Sequence, residues 1–279
     1  MTIKGCDTTD HTLTGATLKA NGLAFVCRYV LNALTGTLDK ELRATELPEK
    51  KAAGVRIVSN WEWAAAPANF RSTGKDHATR CKARLASLGA PDWAPVYYSI
   101  DTPAVAGSYN AYAQGWRDVY PAEQLGVYGD GALFRQLKAD GYVTLAWQSM
   151  SKSFPGNHHP DGTWNHDGAD IIQTGGGSVA GHSVDFNTAV IDNYGGWLQG
   201  EEDPNMAVTA AEIAAIANAV WNEKLGSSGP TAAIALQSTY NNVIKLLGEI
   251  PTSGGALTDA DKDDIAKRVA DLLAARLVS

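Results

Sequence analysis

"VYYSIDTPAV", residues 96–105, is an apolar, aromatic run that stops at a single acid, Asp101, and hands over to a Thr-Pro turn. It reads as a buried strand with a carboxylate at its end. The same unit recurs on both sides of it. Upstream stand "IKGCDTT" (3–9), "LAFVCRYV" (23–30) and "VRIVSNWEW" (55–63); downstream stand "QLGVYGD" (124–130), "YVTLAWQSM" (142–150), "GADIIQTGG" (168–176) and "GHSVDFNTAV" (181–190). Amphipathic stretches separate the earlier runs, among them "DKELRATELPEKKAAG" (39–54), "GKDHATRCKARLASLGA" (74–90) and "GALFRQLKADG" (131–141). Strand-then-helix alternation is the pattern of parallel βα units. Several of these helices stop at a glycine, at Gly22, Gly54, Gly89 and Gly141, where the left-handed cap conformation is open to the chain.

Eight such strands close a (β/α)8 barrel of the TIM type, although about 250 residues is more usual for one. The shortfall has a visible place. Neither "SKSFPGNHHPDGTWNHDG" (151–168) nor "GGGSVAG" (175–181) reads as a helix, so the last units are abbreviated. An open doubly wound sheet is the other topology for this alternation, but no GxGxxG or Walker pattern favours it. The barrel is expected over 1–200, followed by a linker at 201–207 and a small α-helical module over 208–279. That module shows three amphipathic segments and a capping box from Thr209 to Glu212. It reads as a small bundle or as an oligomerisation or attachment element, because heptad spacing persists too briefly for a firm coiled coil.

Composition excludes several classes. The 279 residues carry 23 Lys+Arg against 30 Asp+Glu, a net charge of −7, with no basic run longer than a pair, so a nucleic-acid partner is not expected. No apolar run approaches the ~20 residues that cross a bilayer, so no membrane partner is expected either. The start "MTIKGCDTTD" lacks a basic head followed by an apolar stretch, and the expectation is a chain made without a signal peptide, in a host cytoplasm or a virion. Cys6, Cys27 and Cys81 are odd in number and scattered, which argues for reduced thiols rather than a disulfide framework.

In a barrel of this kind the active site lies at the C-terminal ends of the strands. Those ends supply Asp7, Arg28–Tyr29, Asn60–Trp61–Glu62, Asp101, Tyr128 to Asp130, Trp147–Gln148, Gln173 and Asp185 with Asn187. Acids and amides hydrogen-bond hydroxyls while aromatic faces stack on sugar rings, so such a rim suits a polysaccharide. The plainer reading of any one of these acids is a helix cap or a partner for backbone amides. No cofactor and no metal is expected. "NHHPDGTWNHDGAD" gathers His158, His159, Asp161, His166 and Asp167, but without HExxH or another fixed-face spacing. A Ser-His-Asp hydrolase would need a GxSxG elbow, and none occurs.

"GCDTTD" opening the first strand, "FVCRYV" as the second, "YYSID" ending the fourth and "VDFN" in the eighth resemble one known group. It is the glycoside-hydrolase-like domain of actinobacterial secreted proteins and their phages, a relative of the glycoside hydrolase family 25 lysozymes that cleave peptidoglycan. The resemblance covers roughly residues 3–200. Segments such as "AVTAAEIAAIANAVWNEKLG" look more loosely like C-terminal parts of actinobacteriophage lysis or tail proteins. The resemblance implies that Asp7 matches the first-strand acid, Asp185 the last-strand acid, and Asp101 the first carboxylate of a fourth-strand Asp-x-Glu. The family's Glu position is Pro103 here, so the usual proton donor is absent.

Glu62, at the end of the neighbouring strand, is the replacement expected for it. Adjacent strands run ~4.8 Å apart, so two inward carboxyls there reach ~5–9 Å, which covers retaining and inverting geometries. Trp61 and Trp63 would give it apolar surroundings. If Trp61 faces the barrel interior, however, Glu62 faces the helices, unless the strand has already ended. A substrate-assisted route with Asp101 as the one strong acid stays open beside the two-carboxylate route. The reading is a muramidase-like, peptidoglycan-directed glycoside hydrolase of a phage lysin or virion-associated type. Asp101 and Glu62 are its catalytic acids; Asp7, Arg28, Tyr98, Tyr128, Trp147, Gln148, Gln173 and Asp185 bind substrate. Its alternative is a non-catalytic wall-carbohydrate binder with a helical assembly tail through which copies or particles associate.

Overall fold

The computed structural model describes residues 2–32 and 40–201. The expectations for a linker beyond 201 and for a helical or self-associating module over 208–279 lie outside the described residues. Among the described residues no helix is long and apolar enough to cross a membrane.

The elements run β1 (Ile3–Asp7), α1 (Gly15–Ala20), β2 (Phe25–Asn32), α2 (Leu47–Ala53), β3 (Arg56–Glu62), α3 (Arg71–Ser87), β4 (Val96–Ser99), α4 (Asn110–Arg117), β5 (Leu125–Gly129), α5 (Gly131–Ala139), β6 (Leu145–Gln148), β7 (Ile171–Val179) and β8 (His182–Ala189). The eight strands close into one barrel in sequence order. Strands β1 to β7 pair in parallel where they are neighbours, whereas β8 is antiparallel to both β7 and β1. The reversal follows from the connection. A parallel return needs a crossover of a dozen or more residues, and Ala180 and Gly181 alone separate β7 from β8. Both have positive φ, 51° and 90°, as a two-residue hairpin turn of the right twist requires. The abbreviated end of the barrel is therefore a hairpin. Part of "GGGSVAG" lies in β7 itself.

Local chemistry sets the helix limits. Thr14 caps α1 by accepting from the Thr17 amide at 3.1 Å, and Asp130 caps α5 by accepting from the Leu133 amide at 2.7 Å. Gly54 closes α2 with φ 67°. The helix expected over 39–54 begins only at Leu47, because Pro48 fits the first turn and not an interior position. The chain ahead of it instead lies beside β2, where Glu41 bridges Tyr29.

Alternation along the strands divides two cores. Phe25, Cys27, Val58, Tyr97, Leu145, Trp147, Ile171 and Ala189 fill the barrel, and Tyr194 packs on Phe25 at 4.7 Å between ring centroids. Cys6, Val26, Ile57, Trp61, Tyr98 and Val127 face outward to the helices. Where the inner row runs out of apolar residues, each strand presents a polar one, and that change of chemistry makes the mouth.

Candidate active site

The inner row ends in a cavity of about 210 Å³ lined by Asp7, Tyr29, Lys40, Asn60, Glu62, Ser99, Asp101, Tyr128, Trp147, Gln173 and Asp185. Alternation from the row that fills the barrel places most of these side chains. Cys27 is inside, so Tyr29 is inside; Val58 is inside, so Asn60 and Glu62 are; Tyr97 is inside, so Ser99 and Asp101 are. Asp185 reaches the mouth from the middle of β8 because it pairs with Asp7 at the top of β1. Trp61 faces the helices, stacked with Trp63 at 6.2 Å, and this turns Glu62 inward.

A hydrogen-bonded row runs across the floor. Tyr128 donates to Gln173 Oε1 at 3.2 Å, and Gln173 Nε2 donates to Asp7 Oδ2 at 3.1 Å and reaches Asp185 Oδ2 at 3.5 Å. Asn187 Nδ2 donates to the same Asp7 oxygen at 2.7 Å, while its Oδ1 accepts from Trp147 Nε1 at 2.8 Å. On the facing wall Ser99 donates to Asn60 Oδ1 at 3.0 Å. Amide side chains with both ends engaged cannot turn, so Asp7 is held in one orientation.

The acids differ in environment. Burial pushes the Asp7 carboxyl up to about 7; the Asn187 and Gln173 hydrogen bonds oppose this, and the Asp185 charge adds to it. Glu62, half-buried, is raised above the usual carboxylate range by burial and by the Asp101 charge, against the lowering effect of Lys40. Asp101 stands at the exposed rim, raised by the protein around it and lowered by Lys40. Buried acids that sense one another's charge in an open cleft are the groups with which proton transfer is done.

Seven of the ten residues expected from the sequence converge here: Asp7, Glu62, Asp101, Tyr128, Trp147, Gln173 and Asp185. Three do not. Arg28 follows Cys27 on the strand and therefore points outward, where it is fully buried against Glu46, with Nε at 3.1 Å and Nη2 at 2.9 Å. Tyr98 also faces the helices, stacked on Trp116 at 5.0 Å. Gln148 is buried behind β6, where it donates to Asn157 Oδ1 and the Asn165 carbonyl and pairs with His166 at 2.6 Å, fastening the 149–170 loop. Tyr29 and Asn60 were legible from alternation; Ser99 needed the register of β4, and Lys40, off any strand, left no signal. The three cysteines are free and buried.

A closed barrel with paired carboxyls and a polar floor at its mouth defines a glycoside-hydrolase-like protein. The chain belongs to the Rv2525c-like, glycoside hydrolase-like domain family, whose profile matches residues 16–194. Rv2525c of Mycobacterium tuberculosis, a candidate peptidoglycan hydrolase, is 26% identical over 191 residues, covering 64% of this chain and 78% of its own length. Two crystal structures of that mycobacterial protein, with L-tartrate and with HEPES, each align with TM-score 0.62, at 25% and 24% identity, over 70% of this chain and 98% of theirs. That relative is a Tat-secreted protein, and this finding overturns the expectation of synthesis without a signal peptide in a host cytoplasm or a virion.

Proposed function

We propose that the barrel is a peptidoglycan-directed glycoside hydrolase of muramidase-like action, with Glu62 as proton donor and Asp101 as its partner carboxylate. The observation that carries this reading is that both acids line one cavity, Glu62 at the end of β3 and Asp101 two residues beyond the end of the adjacent β4. The Trp61–Tyr98 pairing brings the ends of β3 and β4 level. Side chains from neighbouring strand ends there span about 5–9 Å, the range in which two carboxyls flank a glycosidic bond. The more exposed acid ionises first. Asp101 at the rim is then the carboxylate, and its charge keeps the proton on the more buried Glu62. Glu62 protonates the leaving oxygen while Asp101 attacks the anomeric carbon or activates a water. Asp7, Asp185 and Gln173 accept or donate to ring hydroxyls, and Tyr128 and Trp147 form the floor on which the ring rests.

The named activity of the mycobacterial relative, and its secretion, support a wall polymer as substrate. Use in a phage lysin or virion-associated protein is supported by the resemblance of the C-terminal segments alone. Pro103, exposed and outside the cavity lining, favours a second reading in which the barrel binds wall glycan without cutting it.

Purified actinobacterial peptidoglycan incubated with the intact protein, Glu62→Gln and Asp101→Asn separates these readings. New muramic reducing ends, identified by mass and reduced about 10²–10⁴-fold in both variants, are the expected result. Loss in Asp101→Asn alone would mean a substrate-assisted route. Pelleting with the wall but no release of reducing ends, even by the intact protein, would establish the binder.

A further inference from the structure

Among the described residues that line the cavity, one carries positive charge, and it is not on a strand. Lys40 sits 5.6 Å from the centroid of the Tyr29 ring, a cation held against an aromatic face of β2. The chain that carries it is fastened from several sides. Glu41 bridges Tyr29, and the Leu42 amide donates to the Tyr29 carbonyl at 2.8 Å. Arg28 Nη2 reaches the Glu41 carbonyl at 3.4 Å, Arg84 Nη2 donates to the Leu42 carbonyl at 3.1 Å, and the Arg43 amide donates to Glu46 Oε1 at 2.9 Å. Arg28, expected to touch substrate, thus serves the mouth from behind the sheet.

We infer that Lys40 is a positioning residue whose ammonium, held at the mouth by this fastening, sets the pH range over which Glu62 and Asp101 give up their protons. This rests on the acid-pair reading above. The titratable groups facing Lys40 are Tyr29 on β2, Glu62 on β3, Asp101 after β4, Tyr128 on β5, Asp7 on β1 and Asp185 on β8. Four carboxyls in one partly desolvated mouth cannot all ionise cheaply. A fixed cation in the same mouth offsets part of that repulsion and brings the ionisation of the pair to lower pH. Lys40 lowers both acids, so removing its charge raises both.

The test uses the full chain as wild type, Lys40→Met and Lys40→Arg. Side-chain carboxyl titration of Glu62 and Asp101 by carbon NMR is recorded beside the pH–rate profile on peptidoglycan. Lys40→Met is expected to move both titrations up by about one pH unit, with both limbs of the profile following, and the shift is expected to shrink in high salt. Lys40→Arg keeps the charge and restores the wild-type values. Titrations unmoved in Lys40→Met, or moved equally in Lys40→Arg, overturn the inference. Titrations that move in a protein releasing no reducing ends at any pH uphold the role of Lys40 and overturn the hydrolase reading instead.

Discussion

Two groups of charged side chains lie on opposite sides of the barrel wall, one behind β2 and one at the mouth, and they are built on different terms. Behind the sheet, Arg28, Glu46, Lys50 and Glu49 are matched two against two. Arg28 pairs with Glu46 at 2.9 Å, and Lys50 pairs with Glu49 at 2.5 Å and Glu46 at 3.7 Å while donating to the Leu13 carbonyl at 2.9 Å. In front of it, Asp7, Glu62, Asp101 and Asp185 line one cavity with Lys40. The matched group satisfies its charges locally and fixes the β2–α2 connection. In the unmatched group Asp7, Glu62 and Asp101 are raised above their usual range, chiefly by burial. Burial of charge alone does not mark a site; burial without balance does.

The largest effect is expected at Arg28. Replacing it by Met leaves Glu46 buried without its main partner, and the expected loss is about 3–5 kcal/mol in chemical denaturation. The double variant Arg28→Met/Glu46→Gln removes both charges while the amide oxygen still accepts from the Arg43 amide, and it should recover more than half of that loss. If the double variant is as unstable as the single one, the rear group is more than a matched pair and the contrast with the mouth fails.

At the mouth the corresponding effect falls on Asp7. Its folded value is raised to about 7, whereas an unfolded Asp titrates near 3.9, so the native state holds a proton that the unfolded chain has released. Stability from this group is full below about pH 4, falls as pH rises towards 7 and is flat above that. The total is up to about 4 kcal/mol by linkage. Asp7→Asn keeps an oxygen for Gln173 and Asn187 but cannot ionise. Urea midpoints of the variant should lack the decline between pH 4 and 7 and should exceed wild type at pH 8. A variant less stable than wild type at pH 8 would mean that the ionised carboxylate is well accommodated.

The same two faces show what could be read from the sequence. The barrel was legible because apolar runs ending in acids, with glycine-stopped helices between them, have few other solutions. The reversal of β8 was legible too, in the two residues left between "GGGSV" and "HSVDF", but only if Gly175–Gly177 are admitted to a strand. At the mouth, whether Glu62 or Trp61 faces inward depended on counting from Val58, and the choice between Arg28 and Tyr29 depended on counting from Cys27. Both counts need to know which residues fill the barrel, and that is a property of the closed sheet. Tyr98 is an instance of the same limit, since an aromatic at a strand end looks alike on either face. Lys40 had no pattern at all, being placed by contacts to Arg28, Arg84 and Tyr29 that are distant in sequence.

The smallest expected effect lies at the edge of the rear group. Glu49 is 37% exposed in its side chain, unlike Glu46 at 3%. Glu49→Gln removes its charge but keeps an oxygen to accept from the Gly15 amide, as Glu49 does. Lys50 retains Glu46 and the Leu13 carbonyl, so it is not left unpaired. A solvent-screened pair is worth about 0.2–1 kcal/mol, and the loss should fall in that range and vanish in high salt. A loss of several kcal/mol, insensitive to salt, would show that all four rear charges form one indivisible unit. Charge balance in that group would then be needed down to the exposed member, and the tolerance of the mouth for imbalance would stand out the more.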